Sequence, residues 1–381
     1  MQMVSMKPIL PGATLGLLGG GQLGRMFTIA ARKLGYRVHI YEPAEDSPAG
    51  QLADRQFTNS YTDLVALEEF ARSVDVVSYE FENIPVAALD FLASKVAIHP
   101  SREILHISQN RRREKEYLRQ HGFPVAPFHV VASAEALQQA VSELGTCVLK
   151  TADFGYDGKG QIKLEGNEDL AAVWKQHGAA TGVVEKWITF TAELSVIVAR
   201  TAKGEVRCFP VAHNHHEHHI LAISEAPAAF EASIHDTACQ LAEELARKMD
   251  LVGLLAVEMF LTPDGTLLIN ETAPRPHNSG HYSFDACITS QFEQQLRAVC
   301  GLPLGQTNLL CPVLMRNLLG DLWEKGTPPW EKLLAMPGLR LHLYGKSEAR
   351  PGRKMGHYCV LADTLDKARA IDAQAQQILL R

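Results

Sequence analysis

The stretch FGYDGKGQ, Phe154 to Gln161, decides how the rest of the chain is read. It lies between a β-like run ending at Lys150 and another starting at Gln161, so it reads as a hairpin tip. Its glycines, Gly155, Gly158 and Gly160, let backbone N–H groups close over phosphates. It is not G-x-x-x-x-G-K-[ST], which excludes a P-loop. Lys150 could put a point charge on those phosphates, whereas without the loop a lysine ending a strand reads as exposed.

Toward the N-terminus stands a second glycine turn, in LLGGGQLGRM, Leu17 to Met26. It follows the strand-like TLGLL, opens a helix reading from Leu23 to Leu34, and leads to the strand-like RVHIY, a βαβ start with parallel strands. Gly19, Gly21 and Gly24 match G-x-G-x-x-G, and Glu42 stands where a ribose-binding acid would. Alone, this favours a nicotinamide-dependent oxidoreductase. The signal is weak, because any strand turning into a helix over an anion needs the same glycines. DVVSYEF and KVAIHP read as further strands, but then the α/β pattern stops. FHVV, CVLK, GQIKL, GVVEKWI, ELSVIVAR and EVRCFPVAH predict antiparallel β with covering helices. Two glycine loops in two differently built regions imply two anionic ligands.

The hairpin VEMFLTPDGTLLINE supplies a third element. With its turn centred at Asp264, Glu258 and Asn270 are each six residues away and should face each other, with Glu271 one step further. Two carboxylates and an amide oxygen suit an octahedral Mg²⁺ that also binds nucleotide phosphates. For an arbitrary hairpin, an acidic pair facing solvent is as good a reading. The run RRREK, residues 111–115, reads as a solvated helix face. HNHHEHHI, His213 to Ile220, could catch a transition metal, but a strand end with one nucleotide-facing histidine is the plainer reading. The tail, PGLRLHLYGKSEARPGRKMGHYCVLA, predicts a second small β unit before a final helix.

Bulk properties narrow the class. At 381 residues the chain is long enough for two or three domains. Hydrophobic residues at 46% and charged residues at 21% predict folding throughout. A net charge of −6 offers no basic field for nucleic acid or an anionic membrane, and no run approaches the ~20 apolar residues of a membrane helix. Seven cysteines without a CxxC pair point away from a zinc ribbon or disulfide framework and toward a reducing cytoplasm. The leader, broken by Pro8 and Pro11, lacks a signal peptide's apolar core.

GGGQLGRM, YEFEN, SQNR, GYDGKGQ, VEKWITFTAELSVIV, INETAPRPHNSGH and RPGRKMGH, spread nearly end to end, resemble the ATP-grasp superfamily and within it the 5-(carboxyamino)imidazole ribonucleotide synthases. The resemblance implies a mixed α/β and α+β chain with the ATP-grasp fold. It comprises a Rossmann-like pre-ATP-grasp domain (1–106), a lid domain with the glycine-rich loop (107–188), and a C-terminal ATP-grasp domain (189–381) that includes a small β-rich subdomain (about 312–381). The implied reaction joins bicarbonate to 5-aminoimidazole ribonucleotide through carboxyphosphate, giving ADP and phosphate, in purine synthesis. ATP would contact Arg111, Lys150, Gly155, Tyr156, Asp157, Gly158, Lys159, Gly160, Gln161, Glu185, Lys186, Trp187, Ile188, Glu193, His216, Asn270 and Glu271. The backbone of residues 185–188 would read adenine, and Glu193 would accept from ribose hydroxyls. Glu258 and Glu271 would hold Mg²⁺, for which Mn²⁺ can substitute. Gly21, Gln22, Leu23, Glu82, Tyr156, Arg275, Arg353 and Lys354 would bind the ribonucleotide. Asp157, Arg275, His277 and Lys354 would act in the chemistry, Asp157 by receiving or orienting a proton. A homodimer without nucleic-acid or membrane partners follows from the same resemblance. Rival readings are a formate-dependent ligase acting on glycinamide ribonucleotide, a nicotinamide-dependent oxidoreductase, and a nucleotide sensor that binds ATP without turning it over.

Overall fold

The computed structural model describes residues 7–152 and 160–380. Among them the strands form three sheets. The first comprises β1 (Thr14–Leu18), α1 (Gln22–Lys33), β2 (Arg37–Tyr41), β3 (Arg55–Phe57), α2 (Leu64–Arg72) and β4 (Val76–Tyr79), with parallel strands in the order β3-β2-β1-β4. Its central strands are almost continuously apolar because helices cover both faces. KVAIHP contributes only an isolated bridge between Ile98 and Val77, in which the Val77 N–H donates to the Ala97 carbonyl and the His99 N–H to the Val77 carbonyl. Helices α3 (Val86–Ala93), α4 (Arg102–Ser108) and α5 (Arg111–Gln120) follow. The last is started by Asn110, whose side-chain oxygen accepts from the Arg113 N–H.

The second sheet is antiparallel, as the short runs predict. It contains β5 (Phe128–Val131), α6 (Ala134–Leu144), β6 (Cys147–Thr151), β7 (Gln161–Leu164), α7 (Leu170–His177) and β8 (Gly182–Lys186), in strand order β5-β8-β6-β7. Lys150 pairs with Gln161, so both flanks of the glycine-rich loop have the expected hairpin register. Phe154, Gly155, Tyr156, Asp157, Gly158 and Lys159 lie outside the described residues.

The third and largest sheet begins with β9 (Ala192–Arg200), β10 (Val206–Cys208), β11 (Ala212–Glu217), β12 (Ile220–Ala226), α8 (Ala232–Lys248), β13 (Gly253–Leu261) and β14 (Leu267–Ala273). After α9 (Ser283–Ala286) and α10 (Gln291–Val299) it takes in β15 (Val313–Leu319), α11 (Trp330–Leu334), β16 (Leu339–Leu343) and β17 (Lys354–Leu361), and α12 (Leu365–Leu379) closes the chain. Its order is β14-β13-β9-β11-β12-β15-β17-β16, with β10 on β9. The tail strands are therefore not a detached sheet. β15 pairs along β12, which would otherwise present an unpaired edge, while α11 and α12 give the tail strands a core of their own around Leu318, Leu333, Tyr358 and Ala375.

Candidate active site

The β13–β14 hairpin corrects the expected carboxylate geometry. Its pairing is symmetric about Asp264 as far as Met259 and Ile269, but a bulge follows, so Glu258 faces Glu271 rather than Asn270. Asn270 is the extra residue of the bulge, and the shift brings both carboxylates to one site. Burial, and then the Glu271 and Glu193 carboxylates, push the Glu258 carboxyl well above the ordinary range. Opposed hard oxygens that repel one another fit a divalent oxygen-seeking cation such as Mg²⁺.

These groups open onto a cleft of about 490 Å³ between the second and third sheets. Arg111, Lys150, Gln161, Glu185, Lys186, Trp187, Ile188, Glu193, His216, Asn270 and Glu271, all expected around ATP, line it together with Glu258. Gly160 stands just beyond the lining at φ +73°, where a Cβ would come within 2.7 Å of Thr151 Oγ1. Within the strand expected to read adenine, the N–H groups of Lys186 and Trp187 already donate to the carbonyls of Pro127 and Thr146. His216 Nδ1 lies 2.9 Å from Glu193 Oε2. Phe190 and Phe260, stacked with centroids 4.6 Å apart, give the cleft a flat apolar wall that the motif-based reading missed.

Behind the cleft is a buried charge cluster. Lys150 Nζ and Lys115 Nζ each stand 3.0 Å from an oxygen of Glu185, and Arg111 reaches Glu185 at 3.9 Å and Glu271 at 3.6 Å. Burial pushes the Glu185 carboxyl up, but Lys115, Lys150 and Arg111 outweigh it and hold it at about 2. Burial lowers the Lys150 ammonium. The RRREK run is thus only partly a solvated face. Arg112 is half exposed, whereas Glu114 and Lys115 are buried because their turn of α5 packs against β14 and β8.

A second pocket, of about 360 Å³, lies against the first sheet. Gly21, Gln22, Leu23, Glu82, Arg275, His277 and Lys354 line it. Arg275 Nη2 is 2.7 Å from Glu82 Oε1, joining the first sheet's loop to the end of the large sheet. Burial, then Arg275 and Lys354, push the His277 imidazole well below its ordinary range. Arg353 lines neither pocket, since its guanidinium turns back to donate to the Glu348 carbonyl at 2.8 Å. Arg111, Glu271, His277, Asn278 and Lys354 line both pockets and form the seam between them.

The glycine turn at the start of α1 holds a carboxyl group, but it is the chain's own. The buried Glu80 carboxylate accepts from the N–H groups of Gly21 and Gly24, the latter at 2.6 Å, and a Cβ on Gly21 would stand 2.7 Å from Glu80 Oε1. Glu42 accepts from the Gly20 N–H at 3.1 Å. A dinucleotide pyrophosphate would need these donors, so the oxidoreductase reading loses its seat. Sequence reasoning missed Glu80 because the motif specifies the glycines without specifying what they surround.

Residues 12–109 match the ribonucleotide synthetase preATP-grasp domain, 116–292 the ATP-grasp domain, and 313–371 the phosphoribosylaminoimidazole carboxylase C-terminal domain. The chain is 48% identical to the N5-carboxyaminoimidazole ribonucleotide synthase of Bacillus subtilis over 367 residues, 96% of this chain and 95% of that protein. It superposes on an ADP complex of an N5-carboxyaminoimidazole ribonucleotide synthetase with a TM-score of 0.93 at 45% identity, covering 98% of both chains. An Aspergillus clavatus N5-carboxyaminoimidazole synthase in complex with ADP and 5-aminoimidazole ribonucleotide gives 0.89 at 33% identity, covering 96% of this chain and 98% of that one.

Proposed function

This chain belongs to the N5-carboxyaminoimidazole ribonucleotide synthase family of ATP-grasp enzymes, and on that premise we propose that it carboxylates 5-aminoimidazole ribonucleotide with bicarbonate, in purine synthesis. ATP is consumed to ADP and phosphate. The observation that carries the reading is the seam, where a nucleotide-sized cleft and a second polar pocket share Arg111, Glu271, His277, Asn278 and Lys354. Two substrates seated side by side there would meet end to end.

ATP occupies the larger cleft, with Lys150 and Arg111 on its phosphates, Glu193 and His216 on its ribose, and the strand Glu185 to Ile188 along its base. Because Lys186 and Trp187 have spent their N–H groups, base recognition falls to the remaining backbone of that strand and the Phe190–Phe260 wall. Glu258, Glu271 and Asn270 would hold Mg²⁺, which supplies charge neutralisation at the transferred phosphoryl group. Bicarbonate oxygen attacks the γ-phosphorus and ADP leaves, giving carboxyphosphate. The substrate amine then bonds to the carboxyl carbon as phosphate leaves, and the amine gives up a proton. Lys354, Arg275 and Arg111 stabilise the anions at the seam, and His277 orients the reacting amine beside them. Asp157, outside the described residues, keeps the proton-handling role implied by its motif. Asp157→Asn should abolish carboxylation while sparing ATP binding, and unchanged turnover would remove that assignment.

A homodimer in the cytoplasm completes the proposal, with light scattering expected to give twice the 41.9 kDa chain mass. The deciding experiment follows phosphate release from Mg·ATP and bicarbonate, with and without 5-aminoimidazole ribonucleotide, alongside loss of the free amine. Ribonucleotide-stimulated release matched by amine loss is the expected result. Stimulation by glycinamide ribonucleotide and formate instead would transfer the site to that related ligase reaction.

A further inference from the structure

The histidine run His213 to His219 serves two sides of one hairpin. His216, His218 and His219 line the nucleotide cleft, while His213 and His215 are not among its lining residues. Two residues apart on β11, the latter pair project to a common face. There Glu225 of β12 stands opposite His213 in register. One ligand atom from each of His213, His215 and Glu225 lies within 4.8 Å of the others. The two imidazole rings are 4.1 Å apart, and His215 Nε2 is 3.8 Å from Glu225 Oε2. A bulge between His215 and His216 separates this trio from the cleft-facing histidines.

We propose that His213, His215 and Glu225 form a transition-metal site of the zinc class, distinct from the Mg²⁺-type carboxylate pair at Glu258 and Glu271. Two imidazole nitrogens and one carboxylate oxygen suit Zn²⁺, Ni²⁺ or Cu²⁺, whereas Mg²⁺ prefers oxygen alone. Bonds of about 2.1 Å in a tetrahedral site put ligand atoms roughly 3.4 Å apart, so from separations within 4.8 Å the trio must close by up to about 1.4 Å. Side-chain rotation supplies this, because His215 is 43% exposed. The fourth position then opens to solvent.

Arg369 is the built-in competitor. Its Nε and Nη2 each hold one Glu225 oxygen at 2.7 Å, so a metal must take an oxygen from the guanidinium. Arg369 has somewhere to go, since Nη1 already reaches Asp366 at 3.0 Å and the side chain is 45% exposed. Metal and arginine therefore exchange on Glu225.

The test is calorimetric titration of zinc chloride into the full-length protein with excess Mg²⁺ present to occupy the carboxylate pair. One zinc per chain is expected. His213→Ala and His215→Ala should each weaken binding by at least about tenfold. Arg369→Ala should tighten it, while Glu258→Gln and His216→Ala should leave it unchanged. His215 is exposed enough that its variant should fold, and circular dichroism checks this. Binding that survives both His213→Ala and His215→Ala, binding lost in His216→Ala, or no zinc-dependent heat at micromolar zinc would each overturn the proposal.

Discussion

Glu114 and Glu185 belong to one buried charge cluster yet titrate in opposite directions. Burial raises Glu114 to about 7 from its ordinary 4.5, against the lowering effect of the Thr272 hydroxyl and Lys115. A carboxyl raised on folding stabilises the fold fully below its unfolded pKa and loses that contribution as pH climbs through 7. Glu114→Gln keeps an oxygen for the Thr272 N–H and hydroxyl, which Glu114 accepts at 2.7 and 2.6 Å, but never ionises. Its melting temperature relative to the parent should therefore rise between pH 5 and pH 8, and a flat difference across that range would refute the account. Glu185, held at about 2, stabilises above its unfolded 4.5 and loses that contribution as pH falls toward 2. Glu185→Gln removes the one carboxylate that Lys115 and Lys150 share and should cost about 3–5 kcal/mol at pH 7 by denaturant titration. None of this was legible in RRREK. A charged run specifies a helix with polar character, and only the packing of α5 on two other elements decides which charges lose their water.

At the scale of elements, residue periodicity located β1, β2 and β5 at their observed bounds and placed α1 to within a residue. The register of β13 against β14 escaped it. Counting from a turn assumes equal residues on both arms, and the bulge at Asn270 breaks that assumption without altering the sequence pattern. The β11–β12 turn is a second case. His218 and His219 adopt φ of 50° and 66° between the paired Glu217 and Ile220, a turn that favours Asn-Gly. Two histidines held in left-handed backbone, lining the nucleotide cleft, suggest that stability has been given up for a contact. Replacing them together with Asn-Gly should stabilise the protein by about 1 kcal/mol and raise KM for ATP. A variant with neither effect would show that the turn is incidental to the site.

The largest scale concerns where the first sheet ends as a folding unit. A boundary near residue 106 follows the change of pattern in the sequence, but the core does not respect it. Leu23, Met26, Phe27 and Ala30 of α1 pack in one cluster with Phe292, Leu296, Val299 and Cys300, which belong to α10 and the residue after it, and with Tyr344. Gln295 on the same helix donates to Ser78 of β4 at 2.7 Å, two residues before the Glu80 that organises the glycine turn. Hydrophobic periodicity shows that α1 has an apolar face without showing what covers it, so a partner about 270 residues away was beyond reading. The arrangement ties to α10 the floor of the pocket proposed for the ribonucleotide. Leu296→Ala, at a fully buried position that lines neither pocket, should cost about 2–5 kcal/mol. It should also raise KM for the ribonucleotide more than for ATP, because Leu296 shares a core cluster with Leu23 of the pocket lined by Gly21, Gln22 and Leu23 and with no residue lining the nucleotide cleft. In the same way, a fragment of residues 1–106 should fail to give a cooperative thermal transition, its α1 face being uncovered. A sharp transition in that fragment, or equal changes in both KM values in the variant, would show that the first sheet is self-sufficient and that α10 merely leans on it.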